Sequence, residues 1–356
     1  SSPSERANSF VATMANFRPI MIPYFSRTVC SLLICFSLLS CGSSNTVLID
    51  EFEIPLIEKE RSEESFKENR SESSELLDRN YEEDLTLLTP QSPLAAGHNE
   101  FFIEQSIEGL LVSRLTIVSI PEILDPNHTY PVIFGFHGNG GTPQSMIPLL
   151  DRFVRDGRII AVYPEGYMRS WNLGPELSPA DELEFMDILI AFLDQYLELD
   201  GPKFALGLSN GAALSHYLAA YTNYFEGIAA FVSPLIVGNE PQDEANPMTV
   251  IQVSGMEDNL IPYGGGPSAV GHIFHGAQES SAIWASHNNC VLESPREEIM
   301  AKVTFKGYEG CDRGTVVHDY AVLDSGHNLS RDLLQHLVES TVTTFEQTVL
   351  ISSESD

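Results

Sequence analysis

From about residue 100 onward, short apolar runs alternate with longer segments in which apolar residues recur at helical spacing. Some of the runs, such as VIFGF at 132–136 and IIAVY at 159–163, are almost continuously apolar. Strands of this kind are buried on both faces, as in a parallel sheet that is covered by helices. The alternation therefore predicts an open α/β sheet with its active groups at the carboxyl ends of the strands.

The pattern predicts strands and helices over most of this region. The predicted strands cover 109–117, 130–136, 159–163, 203–208, 249–254 and 316–323. The predicted helices cover 143–156, 181–199, 210–221, 273–287 and 330–350. The second helix starts with several acidic residues, which interact favourably with the positive end of the helix dipole.

The chain has a different character before residue 95. Residues 27–40 (RTVCSLLICFSLLS) place a positive residue before an apolar run that is too short to span a bilayer easily, as in a signal peptide. The run ends in LLSCG at 38–42, which resembles a bacterial lipobox and predicts lipidation of Cys41. A plain signal peptide cut near Ser40 is the alternative. The chain starts without methionine, so Met14 and Met21 are candidate start positions.

The next segment, 42–94, is predicted to be an acidic disordered linker. Between residues 46 and 90 there are 14 acidic and 5 basic residues and few apolar ones. Such a composition buries too little apolar surface to offset chain entropy. We therefore predict three parts: a signal peptide with lipobox over 1–41, this linker, and a catalytic domain over 95–356.

Charge narrows the possible partners of the protein. The 356-residue chain has a formal net charge of −31, and 43% of its residues are hydrophobic. The hydrophobic share is enough for a substantial core. A chain this acidic repels phosphates, so nucleic acid is not expected as a partner.

The strand at 203–208 is followed by the first catalytic candidate. Gly207-Leu208-Ser209-Asn210-Gly211 has the pattern G-x-S-x-G, and an alanine-rich helical segment follows. The pattern alone is weak, but a sharp turn between strand and helix is where a nucleophilic serine is exposed. Ser209 is the predicted nucleophile, and a serine that only caps the helix is the alternative.

A glycine-rich loop, HGNGG at 137–141, follows an earlier strand. Glycines leave backbone N–H groups free to turn toward a ligand, so this loop predicts part of an oxyanion hole. The expected donors are the N–H of Asn210 and that of Gly138 or Asn139. His137 is expected to be structural, and no lysine follows the loop as a phosphate-binding loop would require.

The acid and the base of a triad should follow the serine in the order Ser, acid, His. Asp258 and Glu257 both come just after a late strand and compete for the role of the acid, and Asp324 is a weaker candidate. His327 lies between the last predicted strand and the last helix, where a loop can bring an imidazole to the serine. The histidines show no zinc-binding spacing, and the predicted chemistry needs no metal and no cofactor.

Taken together, these motifs resemble the polyhydroxybutyrate depolymerase and feruloyl esterase family of secreted α/β hydrolases, over residues 105–345. The matching segments are FHGNGGTP at 136–143, YPEGYMRSWN at 163–172, DELEF at 181–185, GLSNGAALS at 207–215, SGMEDNLIPYGGG at 254–266 and SGHN at 325–328. The resemblance implies the α/β-hydrolase fold and Asp258 as the triad acid. It also implies substrate contacts from Trp171 and Tyr263, and a disulfide between Cys290 and Cys311.

The sequence departs from the family in two loops. The serine loop ends in Gly-Ala instead of Gly-Gly, and the histidine loop lacks the usual glycine-rich stretch followed by Trp-Pro.

The motifs and the resemblance together predict a serine esterase, lipid-anchored to a bacterial membrane (the outer one by analogy) or secreted. Its expected substrates are hydroxyalkanoate oligomers, or feruloyl or acetyl esters. A serine peptidase of the same fold and a catalytically silent surface lipoprotein are the alternatives, and no oligomeric state is predicted.

Overall fold

The computed structural model describes residues 95–125, 128–197, 199 and 201–355. The predicted signal peptide with Cys41 and the predicted linker at 42–94 lie outside the described residues. Among the described residues, no helix is both long and apolar enough to cross a membrane.

The strands are β1 (Gly97–Ile107), β2 (Leu110–Ile120), β3 (Val132–Phe136), β4 (Ile160–Pro164), β5 (Lys203–Leu208), β6 (Gly227–Phe231), β7 (Thr249–Gly255), β8 (Gly266–Pro267), β9 (Ile273–Phe274), β10 (Leu292–Glu293), β11 (Glu297–Met300), β12 (Val303–Glu309) and β13 (Val317–Val322). The helices are α1 (Pro143–Arg155), α2 (Glu182–Tyr196), α3 (Asn210–Tyr221), α4 (Ala277–His287) and α5 (Arg331–Ser355).

Within the described part of the chain, one sheet has the strand order β1-β2-β4-β3-β5-β6-β7-β13-β12-β10, and β11 also pairs with β12. The six strands from β4 to β13 in this order run parallel to one another. The strands at both edges are antiparallel. The short strands β8 and β9 form a separate hairpin.

Helices cover both faces of the parallel strands. Phe134 and Val162 belong to the same buried cluster as the core residues of α2, α3 and α4. Their chain neighbours Ile133 and Ala161 belong to a second cluster, with α1 and α5. Successive strand residues point to opposite faces, so strands covered on both sides must be apolar throughout. The predicted α/β-hydrolase fold is confirmed.

The predicted bounds agree best with the structure over 203–221. Strand β5 and helix α3 have the predicted bounds, whereas β1, β6 and β12 were not predicted. The helix predicted over 273–287 begins only at Ala277, because Ile273 and Phe274 pair with Gly266 and Pro267. A short apolar pair does not reveal whether it belongs to a strand or to a helix.

A disulfide joins Cys290 and Cys311, as the family resemblance implied. Cys290 follows α4, and Cys311 follows β12. The bond therefore ties a surface helix to the antiparallel edge of the sheet. Closing a loop of this size restricts the unfolded chain, which stabilises the fold by about 3 kcal/mol in the chain-entropy treatment.

Candidate active site

Ser209 lies in the turn between β5 and α3. Its backbone has φ 53° and ψ −117°, and its N–H donates to the carbonyl oxygen of Phe231 at 2.9 Å. A non-glycine residue in this region of backbone space is strained, and such strain is kept where surrounding structure holds it in place. Here the turn projects the serine at the carboxyl end of the sheet.

Two glycines allow this turn to be so tight. A Cβ atom added to Gly207 would lie 2.1 Å from the carbonyl oxygen of Gly211. One added to Gly211 would lie 2.2 Å from the carbonyl oxygen of Phe136. Since neither distance can accommodate a side chain, helix α3 could not approach β5 and β3 as it does with any other residue at these positions. This is the physical basis of the G-x-S-x-G pattern.

The structure brings the three predicted triad residues together. Ser209 Oγ and His327 Nε2 are 2.8 Å apart, and His327 Nδ1 and Asp258 Oδ2 are 2.7 Å apart. The other oxygen of Asp258 accepts hydrogen bonds from the N–H groups of Leu260 and Ile261, at 2.8 and 2.9 Å. The carboxylate therefore has a fixed orientation, and it fixes that of the imidazole in turn.

The competing acids are placed differently. The side chain of Asp258 is 2% exposed, whereas Glu257 is an exposed residue. Asp324 is also exposed and forms an ion pair with Lys302 at 3.1 Å. Of these acidic residues, Asp258 is the one that contacts the histidine, as the family resemblance implied.

The glycine-rich loop lies beside the serine. A Cβ atom added to Gly138 would be 3.4 Å from the Cβ of Ser209, and both Gly138 and Asn139 line the same cavity as Ser209. Asn210, the first residue of α3, completes the arrangement. Its backbone N–H is one of those at a helix N-terminus that have no acceptor within the helix.

Two backbone N–H groups of the glycine-rich loop already have acceptors within the protein and are not free to bind a substrate oxygen. That of Gly140 donates to the carbonyl oxygen of Arg169 at 2.7 Å, and that of Gly141 donates to the carbonyl oxygen of Gly138 at 2.9 Å. Among the described residues, the N–H groups of Gly138 and Asn139 have no backbone acceptor. Either of them, together with Asn210, is therefore suited to donate to a negatively charged oxygen.

His137 holds this loop in place. It is completely buried: its Nε2 accepts from the N–H of Gly166 at 3.0 Å, and its Nδ1 donates to the carbonyl oxygen of Gly138 at 2.8 Å. Burial lowers the pKa of His137 to about 4 and outweighs the hydrogen bond to Gly138, which acts in the opposite direction. The neutral ring has one donor and one acceptor, which matches its two partners.

The two residues that the family resemblance implied as substrate contacts have protein partners in the structure. Trp171 is completely buried: its ring N–H donates to the carbonyl oxygen of His137, and its backbone holds the side chain of Asn210. Tyr263 is half-buried and accepts from Gln278 at 3.1 Å. Neither lines the cavity beside Ser209. The family resemblance implied both contacts, but a sequence motif does not show which way a side chain points.

The cavity beside Ser209 has a volume of about 750 Å³. Its walls are largely apolar, with Met168, Leu177, Leu260, Ile261, Val270 and Phe274 among them. Cavities of this size and character bind small molecules, which a few polar groups orient. Among the lining residues, the ionisable side chains are those of Glu176, His272 and His327.

A buried ion pair between Arg114 and Glu182, which no sequence motif indicated, lies behind this cavity. The guanidinium of Arg114 donates to Glu182 and to Gln105, both at 2.9 Å, and to the carbonyl oxygen of Glu165 at 2.8 Å. The second oxygen of Glu182 accepts from the N–H of Asn172 at 3.0 Å. The pair thus fixes both ends of the segment from Glu165 to Glu182, which contributes part of the cavity wall.

Within the described residues, no three His, Cys, Asp or Glu side chains lie together as metal ligands would. The groups that the fold brings together at the cavity are instead those of acyl transfer: a serine, an oriented imidazole and free N–H donors.

Comparison with known sequences identifies esterases among the relatives. No family model matches the chain. Feruloyl esterase B from Piromyces equi is 26% identical over 229 residues, which cover 60% of this chain and 42% of that protein. The chain thus spans about two fifths of that relative. A probable feruloyl esterase C from Aspergillus clavatus is 26% identical over 235 residues, which cover 62% of this chain and 82% of that protein.

Among solved structures, an acetyl xylan esterase from Aspergillus awamori is 12% identical with a TM-score of 0.47. The match covers 68% of this chain and 99% of that one.

Proposed function

We propose that the protein is a serine esterase that hydrolyses carboxylic esters through an acyl-enzyme formed on Ser209. The observation that carries the proposal is the hydrogen-bonded series Ser209–His327–Asp258, with distances of 2.8 and 2.7 Å, at the wall of the cavity. The similarity to named esterases supports the predicted carboxylic ester hydrolase class.

In the first half of the reaction, His327 Nε2 takes the proton of Ser209 while the serine oxygen attacks the ester carbonyl carbon. The carbonyl oxygen gains the negative charge and accepts hydrogen bonds from the N–H groups of Asn210 and of Asn139 or Gly138. Asp258 keeps the imidazole in the correct tautomer and stabilises its cation. The imidazolium then protonates the alcohol oxygen as the C–O bond breaks, which leaves an acyl group on the serine.

In the second half, His327 takes a proton from water, and the water oxygen attacks the acyl carbon. The tetrahedral intermediate collapses, the Ser209 oxygen receives the proton, and the carboxylic acid leaves. No group outside this set has to donate or accept a proton.

The proposed substrates are esters with a feruloyl, acetyl or hydroxyalkanoyl group. The names of the relatives favour feruloyl esters, and the largely apolar cavity suits an aromatic or aliphatic acyl chain. The disulfide between Cys290 and Cys311 suits an oxidising compartment. Secretion, with or without a lipid anchor at Cys41, stays a prediction from the sequence.

The test is hydrolysis of p-nitrophenyl butyrate by the full chain beside Ser209→Ala. Ser286→Ala serves as the matched control, because Ser286 is an exposed serine on α4. We expect kcat/KM to fall by a factor of roughly 10⁴ or more in Ser209→Ala and to stay near the wild-type value in the control. Equal activity in all three proteins would show that Ser209 is not the nucleophile. A folded wild-type protein with no activity on any ester would favour a silent binding protein.

A further inference from the structure

Two of the three ionisable side chains at the cavity have no part in the proposed reaction. Glu176 precedes α2, and His272 lies between β8 and β9. Both are nearly buried, with side chains that are 13% and 7% exposed. Charged or titratable groups are costly to place in a largely apolar cavity unless they interact with each other or with a ligand.

The two side chains form a pair of defined orientation. His272 Nε2 lies 2.8 Å from one oxygen of Glu176, and the other oxygen accepts from the N–H of Leu173, also at 2.8 Å. Burial alone would raise the pKa of Glu176, but hydrogen bonds from His272 and from backbone N–H groups outweigh it, and the pKa lies below its usual value. Glu176 is therefore an ionised acceptor, and the Nε2 atom of His272 is the donor.

This orientation leaves the second ring nitrogen of His272 for another partner. Within the described residues, no hydrogen-bond partner is found for Nδ1, although the ring lines the cavity. With the proton on Nε2, Nδ1 of a neutral imidazole is an acceptor, and the carboxylate on the far side increases its strength as one. A substrate group that meets it must be a donor.

The pair is also connected to the reacting centre. The side-chain N–H group of Asn210 donates to the same oxygen of Glu176 that contacts His272, at 3.3 Å. Asn210 directly follows the nucleophile, and its backbone N–H is a proposed oxyanion donor. A group bound at His272 is thus held in a fixed relation to the ester carbonyl.

We propose that His272, oriented by Glu176, is a specificity-determining residue whose Nδ1 accepts a hydrogen bond from a hydroxyl group of the ester substrate. The substrate class is a hydroxyl-bearing ester, in which the hydroxyl is either phenolic, on an aromatic acyl group, or aliphatic, on a hydroxyacyl group. This inference rests on the proposed esterase function and adds to it the recognition of one substrate group.

A second histidine–glutamate pair, whose histidine lies three residues further along the chain, provides a matched control. His275 Nε2 contacts Glu240 at a distance of 2.5 Å, so it is also a histidine that is bonded to a glutamate. His275 does not line the cavity. The same substitution at the two histidines therefore separates recognition in the cavity from loss of a histidine–glutamate pair.

The experiment measures kcat and KM of the full chain and of its His272→Phe and His275→Phe variants. One substrate pair is methyl 4-hydroxy-3-methoxycinnamate and its 4-O-methyl ether. The other is p-nitrophenyl 3-hydroxybutyrate and p-nitrophenyl butyrate. We expect the wild type to prefer the hydroxyl-bearing member of one pair by about tenfold in kcat/KM, the typical value of one hydrogen bond. The pair that shows the preference identifies a phenolic or an aliphatic hydroxyl.

In His272→Phe this preference should fall to about one, mainly through a higher KM for the hydroxyl-bearing ester, while His275→Phe keeps it. Should His272→Phe fail to fold, the double variant Glu176→Gln and His272→Phe avoids an unpaired buried charge and has the same expectation. Ser209-dependent hydrolysis with no hydroxyl preference, or with one that survives loss of His272, would overturn the subsite and leave the esterase intact. Absence of hydrolysis on all four esters would overturn both.

Discussion

Two histidines line the same cavity, each bonded to a carboxylate, and they differ in what the second ring nitrogen contacts. In the pair of His327 and Asp258, the second nitrogen is bonded to Ser209, at 2.8 Å. In the pair of His272 and Glu176, the second nitrogen has no partner among the described residues. In the proposed reaction, the first ring moves a proton between groups of the protein and the substrate, whereas the second is suited to hold a substrate group still.

The supports of the two carboxylates differ as well. Asp258 follows the end of β7, and the N–H groups of Leu260 and Ile261 hold it from the same short turn. Glu176 lies in a long segment that depends on a buried ion pair behind it. In the proposed function, catalytic geometry is thus built on a strand end, while recognition depends on a loop, as is common where a rigid scaffold carries variable specificity.

The largest effect that would test this comparison is expected for Asp258→Asn. The amide favours the wrong imidazole tautomer, so kcat on p-nitrophenyl butyrate should fall by about 10⁴-fold with little change in KM. Glu257→Gln, at the exposed neighbouring acid, should retain wild-type activity. Steady-state kinetics of the two variants measure the difference. A greater loss of kcat in Glu257→Gln than in Asp258→Asn would show that Asp258 is not the triad acid.

The buried ion pair that fixes the segment from Glu165 to Glu182, in which Glu176 lies, can be removed by substitution of Arg114. Its side chain and that of Glu182 are 1% and 0% exposed, and Arg114→Met leaves the buried carboxylate without its cation. Removing one partner of such a pair costs about 3–5 kcal/mol, and protonation of Glu182 limits the loss to the lower end. The free energy of unfolding in urea measures this cost.

The control for Arg114 is Arg155→Met. Arg155 is 72% exposed in its ion pair with Asp151, so the change should cost about 0.5 kcal/mol or less. Similar losses in both variants would mean that the buried pair contributes no more to stability than a surface pair does.

A smaller effect, on the pH dependence of stability, is expected from histidines that are buried without a carboxylate partner, in contrast to His272 and His327. Burial lowers the pKa of His137 to about 4 and that of His216 to about 3. An unfolded histidine titrates near 6.5, so below that pH the unfolded chain binds more protons than the folded one. The contribution of these histidines to the free energy of unfolding is therefore fully present above pH 6.5. It declines as the pH falls toward 4, by about 1.4 kcal/mol per pH unit for each of these residues.

Urea unfolding between pH 7.5 and 5 measures this slope. His216→Phe should lower it by the share of one histidine, and His336→Gln, at an exposed position on α5, should leave it unchanged. An unaltered slope in His216→Phe would show that His216 is not the source.

Local pattern was sufficient for the part of the fold around the nucleophile. An apolar strand, two glycines around a serine and an alanine-rich helix constrain one another within 203–221, and β5 and α3 have the predicted bounds. Strands β1 and β12 were missed because they lie toward the antiparallel side of the sheet, where several of their residues are exposed or half-buried and no continuous apolar run marks them. Strand β6 was missed because it is short and rich in small residues.

By itself, the sequence determined the sheet class and the strand–helix turn that holds Ser209. With the family resemblance, it also indicated that Ser209, His327 and Asp258 meet and that Cys290 pairs with Cys311. Each of these depends on a local pattern or on chain order. Only the tertiary structure decided that Trp171 is buried and that Glu176 meets His272, 96 residues away. Such long-range contacts follow from how loops pack at the ends of strands. A single glutamate in one loop and a single histidine in another have no periodicity or spacing from which their contact could be predicted.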